Sequence, residues 1–265
     1  MTDPITSRAQ VPSARRVVVK VGSSSVSGVN AGQIATLVDA LAAAHARGTE
    51  VILVSSGAIA TGMPYLRLDD RPSDLATQQA AAAVGQNVLI YRYQESLDRY
   101  GIVAGQVLLT AGDLENPTHR SNAQRAMERL LALRILPIVN ENDTVATHEI
   151  RFGDNDRLAA LVSQLISADL LLLLSDVDAL YTRPPQDAGA VKIENVAFED
   201  QLGQIEFGGI GSTGVGTGGA RTKVSAAKLA AASGTPVLLT STDRVADALA
   251  GEHLGTWFAA GTISA

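Results

Sequence analysis

The chain is predicted to fold as an α/β protein, a three-layer αβα sandwich around a mostly parallel central sheet. Three observations carry this. Apolar runs of strand length alternate with long, amphipathic, alanine-rich segments over almost all of the 265 residues. The runs are continuous in Val, Ile and Leu, as in strands covered by helices on both faces. The segments that follow the runs are small, polar or acidic, which suits the carboxyl-end rim where such sheets bind ligands.

In chain order, residues 1–14 have no period and are rich in Pro, Ser and Thr, so a flexible N-terminal tail is expected, with one domain over 15–265. Arg8, Arg15 and Arg16 precede only Val17–Val19 before Lys20 interrupts, which is neither a signal peptide nor a membrane span. The first strand, Arg16–Val21, carries Lys20 in an apolar run. A buried ammonium is costly without an anion, so either this strand lies at an edge or Lys20 faces a charged ligand. Gly22, just after it, allows backbone N–H groups to approach a phosphate.

A helix over Ala31–Arg47 and a strand over Glu50–Ser55 lead into SSGAIATG (Ser55–Gly62). There Ser55 and Ser56 suit helix N-caps and Gly57 allows close approach. The turn is a cap alone or an anion site at a helix N-terminus. A helix over Ser73–Tyr100, a strand over Val103–Thr110, a helix over Asn116–Arg134 and a strand over Ile135–Asn140 follow.

That strand ends in NEND (Asn140–Asp143), and GDND (Gly153–Asp156) comes shortly afterwards. Turn chemistry explains part of this, since Asn, Asp and Gly form turns and Asp154 to Asp156 suit a cap. Yet five carboxylates and three amides fall in the seventeen residues from Asn140 to Asp156. That density suits gripping an ammonium or orienting lysines, and equally a metal. A helix over Asp156–Ser167 and a strand over Asp169–Ser175 lead to SDVDALYT (Ser175–Thr182). Residues 193–210 are irregular, fitting a short helix or a hairpin.

The stretch GGIGSTGVGTGGARTK (Gly208–Lys223) contains G-x-G-x-x-G twice, from Gly209 and from Gly214. A dinucleotide fold needs a strand before the first glycine, a helix starting inside the motif and an acid about 20 residues on. Here QLGQIEFGG is a poor strand, the helix starts at about Thr222, and Lys228–Ser233 holds no acid. Walker A also fails. What remains is a run of unhindered N–H groups ending in TGGARTK before a helix over Lys223–Ser233, which reads as a phosphate nest with its own lysine. A strand over Pro236–Thr240 completes the set.

Composition excludes several classes. A net charge of −6 argues against general nucleic-acid binding. With no cysteine there is no disulfide, thiolate metal site or thiol nucleophile, and His45, His119, His148 and His253 have no zinc-type spacing. Of 21 basic residues only Lys20, Lys192, Lys223 and Lys228 are lysine. Lys20 in a strand and Lys223 after the glycines are odd places for a solvating charge. There is no G-x-S-x-G, H-E-x-x-H or Cys/His pair.

Together VVVKVGSSS, VILVSSGAIATG, GQVLLT, ILPIVNENDTVAT, FGDNDRLAALV, LLLLSDVDALYT, GTGGARTK and GTWF resemble the amino acid kinase family, in family order from Val17 to about Phe258. Within it the closest resemblance is to members that phosphorylate the side-chain carboxylate of L-glutamate. The resemblance implies the amino acid kinase fold, with glutamate bound by the N-terminal half and ATP by the C-terminal half. It implies that glutamyl 5-phosphate is made from ATP in the first step towards proline. Mg2+ is carried mainly on the phosphates, without a protein metal site.

Carried over by position, Lys20 and Lys223 contact the transferring phosphoryl group and Asp156 holds those lysines. Ser56, Gly57, Asn140, Asp143 and Asn155 grip glutamate. Lys20, Ser175, Asp176, Thr217, Gly218, Gly219, Ala220, Arg221, Thr222 and Lys223 contact ATP. The resemblance also implies feedback inhibition by proline, a homo-oligomer (dimer or tetramer), a cytoplasmic location, and no nucleic-acid or membrane partner. Many such members carry a C-terminal PUA domain. The expectation here is the kinase domain without it, either as a natural short form or by truncation.

The rival readings are a nicotinamide oxidoreductase, a non-catalytic nucleotide-sensing module of the same fold, and a sister kinase for N-acetylglutamate or a similar acid. The first predicts cofactor binding without ADP release. The second leaves Lys20, Asp156 and the glutamate-gripping residues with no reason to co-occur.

Overall fold

A computed structural model describes residues 4–145, 155–203, 205 and 219–261. The elements alternate as expected: β1 (Arg16–Lys20), α1 (Ser23–Val26), α2 (Gln33–Ala46), β2 (Glu50–Val54), α3 (Ala58–Gly62), α4 (Leu75–Asp98), β3 (Ala104–Leu109), α5 (Ala111–Glu115), α6 (Pro117–Ala132) and β4 (Leu136–Glu141). Then come α7 (Asn155–Leu165), β5 (Leu170–Ser175), β6 (Leu180–Tyr181), β7 (Lys192–Ile193), β8 (Asn195–Val196), α8 (Ala220–Ala232), β9 (Val237–Ser241), α9 (Val245–Leu249) and β10 (Thr256–Phe258).

Eight strands form one sheet in the order β3-β4-β2-β1-β5-β9-β10-β8. The first six run parallel, and β10 pairs antiparallel with β9. Neighbouring residues of each strand serve opposite faces, as the period of two requires. On β1, Val17 and Val19 join the core that holds Leu37 and Leu41 of α2, Leu89 and Tyr93 of α4, and Val245 of α9. Val18 joins the opposite core, with Met127 of α6, Val162 of α7 and Ala227 of α8. Helices therefore cover both faces, giving the three layers.

Several expectations change. β1 lies between β2 and β5, so Lys20 is not on an edge strand. Ile193, at the start of the irregular stretch, closes a small antiparallel pair of β7 with the earlier β6, and β8 adds itself to the main sheet beside β10. The segment expected to be a loose tail is packed from Ile5 onward. Arg8–Ser13 form a 3-10 turn, and Ile5, Val11 and Ala14 enter the core. The isolated apolar residues of that segment, too sparse to show a period, are what anchor it.

Candidate active site

The carboxyl ends of β1, β2, β4, β5 and β9 lie side by side, and the chain leaves each through a polar turn. Lys20 is the last residue of β1, where the alternation of faces turns its side chain towards α7. Asp156 stands in the first turn of α7, where the helix dipole favours a carboxylate. Lys223 is buried in the first turns of α8.

The three meet. Lys20 Nζ is 2.6 Å from Asp156 Oδ1, and Lys223 Nζ donates to Asp156 Oδ2 at 3.1 Å. Among the described residues, two ammonium groups thus share one buried carboxylate. Thr222 also donates to Asp156 Oδ2, at 3.1 Å. Burial alone would raise the Asp156 carboxyl, but the attraction and hydrogen bonds of the two lysines outweigh it and hold it well below the usual carboxylate range. Asp156 is thus ionised throughout the working pH range. The arrangement can steady two cations and present them to an anion.

Beside it lies a second, neutral cluster. Asn155 Nδ2 donates to Ser56 Oγ at 3.1 Å and to Asn140 Oδ1 at 3.2 Å, joining α7 to the ends of β2 and β4. Asn140 Nδ2 donates to Gln86 Oε1 on α4 at 2.6 Å, and the Glu141 backbone N–H donates to Asn140 Oδ1 at 2.9 Å. Asn155 Oδ1 is buried and has no hydrogen-bond partner among the described residues. A buried acceptor left this way is an unfilled requirement for a donor.

Ser55 and Ser56 do not cap α3. Gly57 is the N-cap, in the left-handed region at φ 88°, and a Cβ there would stand 3.3 Å from Ser23 Cα. Gly57 thus lets the turn after β2 close onto the turn after β1. Ser55 instead bonds the fully buried hydroxyl of Tyr93 at 2.9 Å, and desolvation pushes that phenol's pKa above its ordinary range.

Asp143 lies just past β4, partly covered. Burial pushes its carboxyl up to about 6, opposed by the charge of Arg71. Across the sheet, Ser175 ends β5, with its hydroxyl on Asp176 Oδ1 at 3.1 Å. The Ser175 carbonyl accepts from Thr242, whose hydroxyl also bonds Ser25. This hydroxyl chain ties the turns after β1, β5 and β9 together.

Gly219 is the N-cap of α8, which begins at Ala220, two residues before the expected start. Ala220, Arg221 and Thr222 are its first three residues. Thr217 and Gly218, assigned to ATP, lie outside the described residues, as do Gly153 and Asp154 of GDND. Among the described residues no group of three or more His, Cys, Asp or Glu side chains is arranged to hold a metal ion.

Sequence reasoning missed Gln86 and Tyr93. The signal was present: Ala82, Gln86, Leu89, Tyr93 and Leu97 form one buried stripe on α4 at helical spacing. A lone amide and a phenol on an apolar stripe need polar partners, and both find them at the rim of the sheet.

Comparison with known proteins adds four findings. The profile of the amino acid kinase family matches residues 15–241. The chain is 79% identical over 253 residues to the glutamate 5-kinase of Clavibacter sepedonicus, covering 96% of this chain and 97% of that protein. It is 54% identical over 255 residues to the glutamate 5-kinase of Streptomyces coelicolor, covering 95% of this chain and 68% of that protein. Among solved structures, carbamate kinase from Giardia lamblia bound to AMP-PNP superposes with a TM-score of 0.68 at 17% identity. That match covers 94% of this chain and all of that one, and it supports the fold.

Proposed function

The chain belongs to the amino acid kinase family, and from that premise we propose that it transfers the γ-phosphoryl group of ATP to the side-chain carboxylate of L-glutamate. The observation that carries this reading is the Lys20–Asp156–Lys223 group, two ammonium groups held on one carboxylate, set beside a cluster of amides and hydroxyls in which Asn155 Oδ1 has no partner among the described residues. The acceptor carboxylate is already a nucleophile, so no general base is needed. Catalysis reduces to in-line positioning and to neutralising charge that spreads over the phosphoryl oxygens.

Lys20 and Lys223 meet those oxygens in this reading. Asp156 keeps the two ammonium groups close enough to act on one phosphate, and the first-turn amides of α8 add donors. Mg2+ would be held by the phosphates of ATP and would offset further charge there. Asp156, already shared by two lysines, is poorly suited to ligate it.

Glutamate lies over Ser56, Gly57, Asn140 and Asn155 in this reading, with its ammonium group between Asp143 and Asn155 Oδ1. An acid at that place also disfavours N-acylated substrates. The C-terminal rim, Ser175, Asp176 and residues 217–223, takes the nucleotide. Proline inhibition and assembly into a dimer or tetramer belong to the same proposal, checked by proline titration and by light scattering. No helix among the described residues is long and apolar enough to cross a membrane. We place the enzyme in the cytoplasm, where its two substrates are made.

The test is MgATP turnover across glutamate, N-acetylglutamate, aspartate, carbamate and UMP, with hydroxylamine trapping of any acyl phosphate. Glutamate-dependent ADP release with a trapped hydroxamate is expected. Preference for another acceptor, or ATP binding without turnover, refutes the proposal.

A further inference from the structure

The donor and acceptor ends of the amides beside the lysines follow from one group whose polarity is unambiguous. A backbone N–H can only donate, so the Asn140 atom 2.9 Å from Glu141 N is the oxygen. The Asn140 nitrogen must then point the other way, into α4, where Gln86 Oε1 receives it at 2.6 Å. Asn140 is 1% exposed and Gln86 9%, so this bond is sheltered from solvent. The second lone pair of Asn140 Oδ1 takes Asn155 Nδ2. The other hydrogen of that nitrogen goes to Ser56 Oγ. With both hydrogens engaged, Asn155 has only its oxygen left, and that oxygen has no partner among the described residues.

Gln86 is the far end of this chain of constraints, and its own place is set by packing. Gly85, the preceding residue, and Gly62 let α3 and α4 touch backbone to backbone. A Cβ on Gly85 would fall 1.8 Å from the Ala58 carbonyl oxygen.

From this geometry we infer that Gln86, which lies behind Asn140, is a positioning residue that makes the pocket present an acceptor, and not a donor, to the ammonium group of the substrate. The inference rests on the glutamate reading above. If Gln86 offers no acceptor, Asn140 Nδ2 is buried without a partner, and the amide is relieved by rotating away from its present orientation. Its oxygen then releases Asn155, whose own amide is free to turn its NH2 end inward. A donor facing an ammonium group loses the hydrogen bond and adds repulsion.

The experiment compares Gln86→Met, close to isosteric but with no strong acceptor, with Gln86→Glu, which keeps an acceptor oxygen. Two ligands are measured: the KM for glutamate, and the Ki of glutarate, which has both carboxylates but no ammonium, as a competitor. In Gln86→Met the glutamate KM should rise about tenfold, the scale of one lost hydrogen bond to a charged group. The Ki of glutarate and the KM for ATP should stay within about twofold. Gln86→Glu should stay within about threefold of the unaltered protein for glutamate.

A general packing defect would weaken glutamate and glutarate together, and that parallel loss overturns the inference. So does an unchanged glutamate KM in Gln86→Met. A tenfold loss in Gln86→Glu overturns it as well, even if the Met variant does not fold. If the unaltered protein does not phosphorylate glutamate at all, the substrate reading falls and the inference falls with it. That result is separate from any change between variants.

Discussion

At the scale of single residues, the site divides charge between two functions. The lysine pair shares one carboxylate, which steadies both ammonium groups and keeps them together. Lys223→Ala should lower kcat by at least ~100-fold, the loss seen when one preorganised charge-stabilising donor is removed. Single-turnover measurements check it, and near-normal turnover would refute the role. Asp143 offers a second test through pH. Its carboxyl is raised by burial to about 6, so it is charged above that pH and neutral below it. Glutamate keeps its ammonium charge across this range. Hence kcat/KM for glutamate should fall towards tenfold per pH unit below about 6, since that parameter reports the free enzyme's essential groups. Asp143→Asn should lower kcat/KM and abolish the inflection. An inflection near 4, or one that survives in the Asn variant, would count against Asp143 as the ammonium partner.

At the scale of elements, most of the framework was legible because continuous Val/Ile/Leu runs and helical spacing are local signals. The expected strand Arg16–Val21 is observed over Arg16–Lys20, and the expected helix Ser73–Tyr100 over Leu75–Asp98. The residues gathered at the rim were legible too, because each directly follows a strand. What was not legible depends on tertiary contact. β8 and β10 are too short to show a period and exist by pairing with each other and with β9. Whether Lys20 lay on an edge strand could be decided only by strand order. The packing of α3 on α4 is likewise invisible in an alanine-rich run. It depends on Gly62 and Gly85, because a Cβ at 62 would meet the Ala81 carbonyl oxygen at 1.9 Å and one at 85 the Ala58 oxygen at 1.8 Å. Gly85→Ala must therefore push the helices apart, at the ~1–3 kcal/mol or more typical of overpacking. For a chain of this size a Tm lower by at least ~3 °C follows. Because α4 carries Gln86 and Tyr93, the glutamate KM should rise while the KM for ATP holds. A melt and a KM both unaltered by Gly85→Ala would mean that the helices can separate without cost to the pocket.

At the scale of the whole molecule, the two sheet faces carry separate cores and the rim joins them. Asn140 faces α4 in one layer, Lys20 faces α7 in the other, and the adjacent residues Asn155 and Asp156 bridge the two. The C-terminal strands of the sheet gain a further tie from the N-terminal segment. Arg8 is buried, and its guanidinium donates to the Leu254 carbonyl at 2.7 Å, to the Glu194 carbonyl at 2.5 Å and to Asn195 Oδ1 at 3.0 Å. It thus joins the start of the chain to β8 and to the turn before β10, the last strands of the sheet. None of these partners is a residue assigned to either substrate, so the clamp bears on stability and not on chemistry. The guanidinium also reaches the Gly255 carbonyl at 3.3 Å, so Arg8→Ala leaves the buried Leu254 and Gly255 carbonyls short of a donor, at ~1–3 kcal/mol each, while the Glu194 carbonyl keeps the Trp257 N–H. The Tm should fall by at least ~4 °C on the scaling for domains of 150–250 residues. At 25 °C, kcat and both KM values should be unchanged. Removal of residues 1–14 should lower the Tm further, since Ile5, Val11 and Ala14 then leave the core. An unchanged melt in the truncated chain would show that this segment adds nothing to stability, as the sequence had suggested for a loose tail. A fall in kcat without a fall in Tm would instead place Arg8 in the catalytic cycle, through β8 and β10 and the β9 strand they flank.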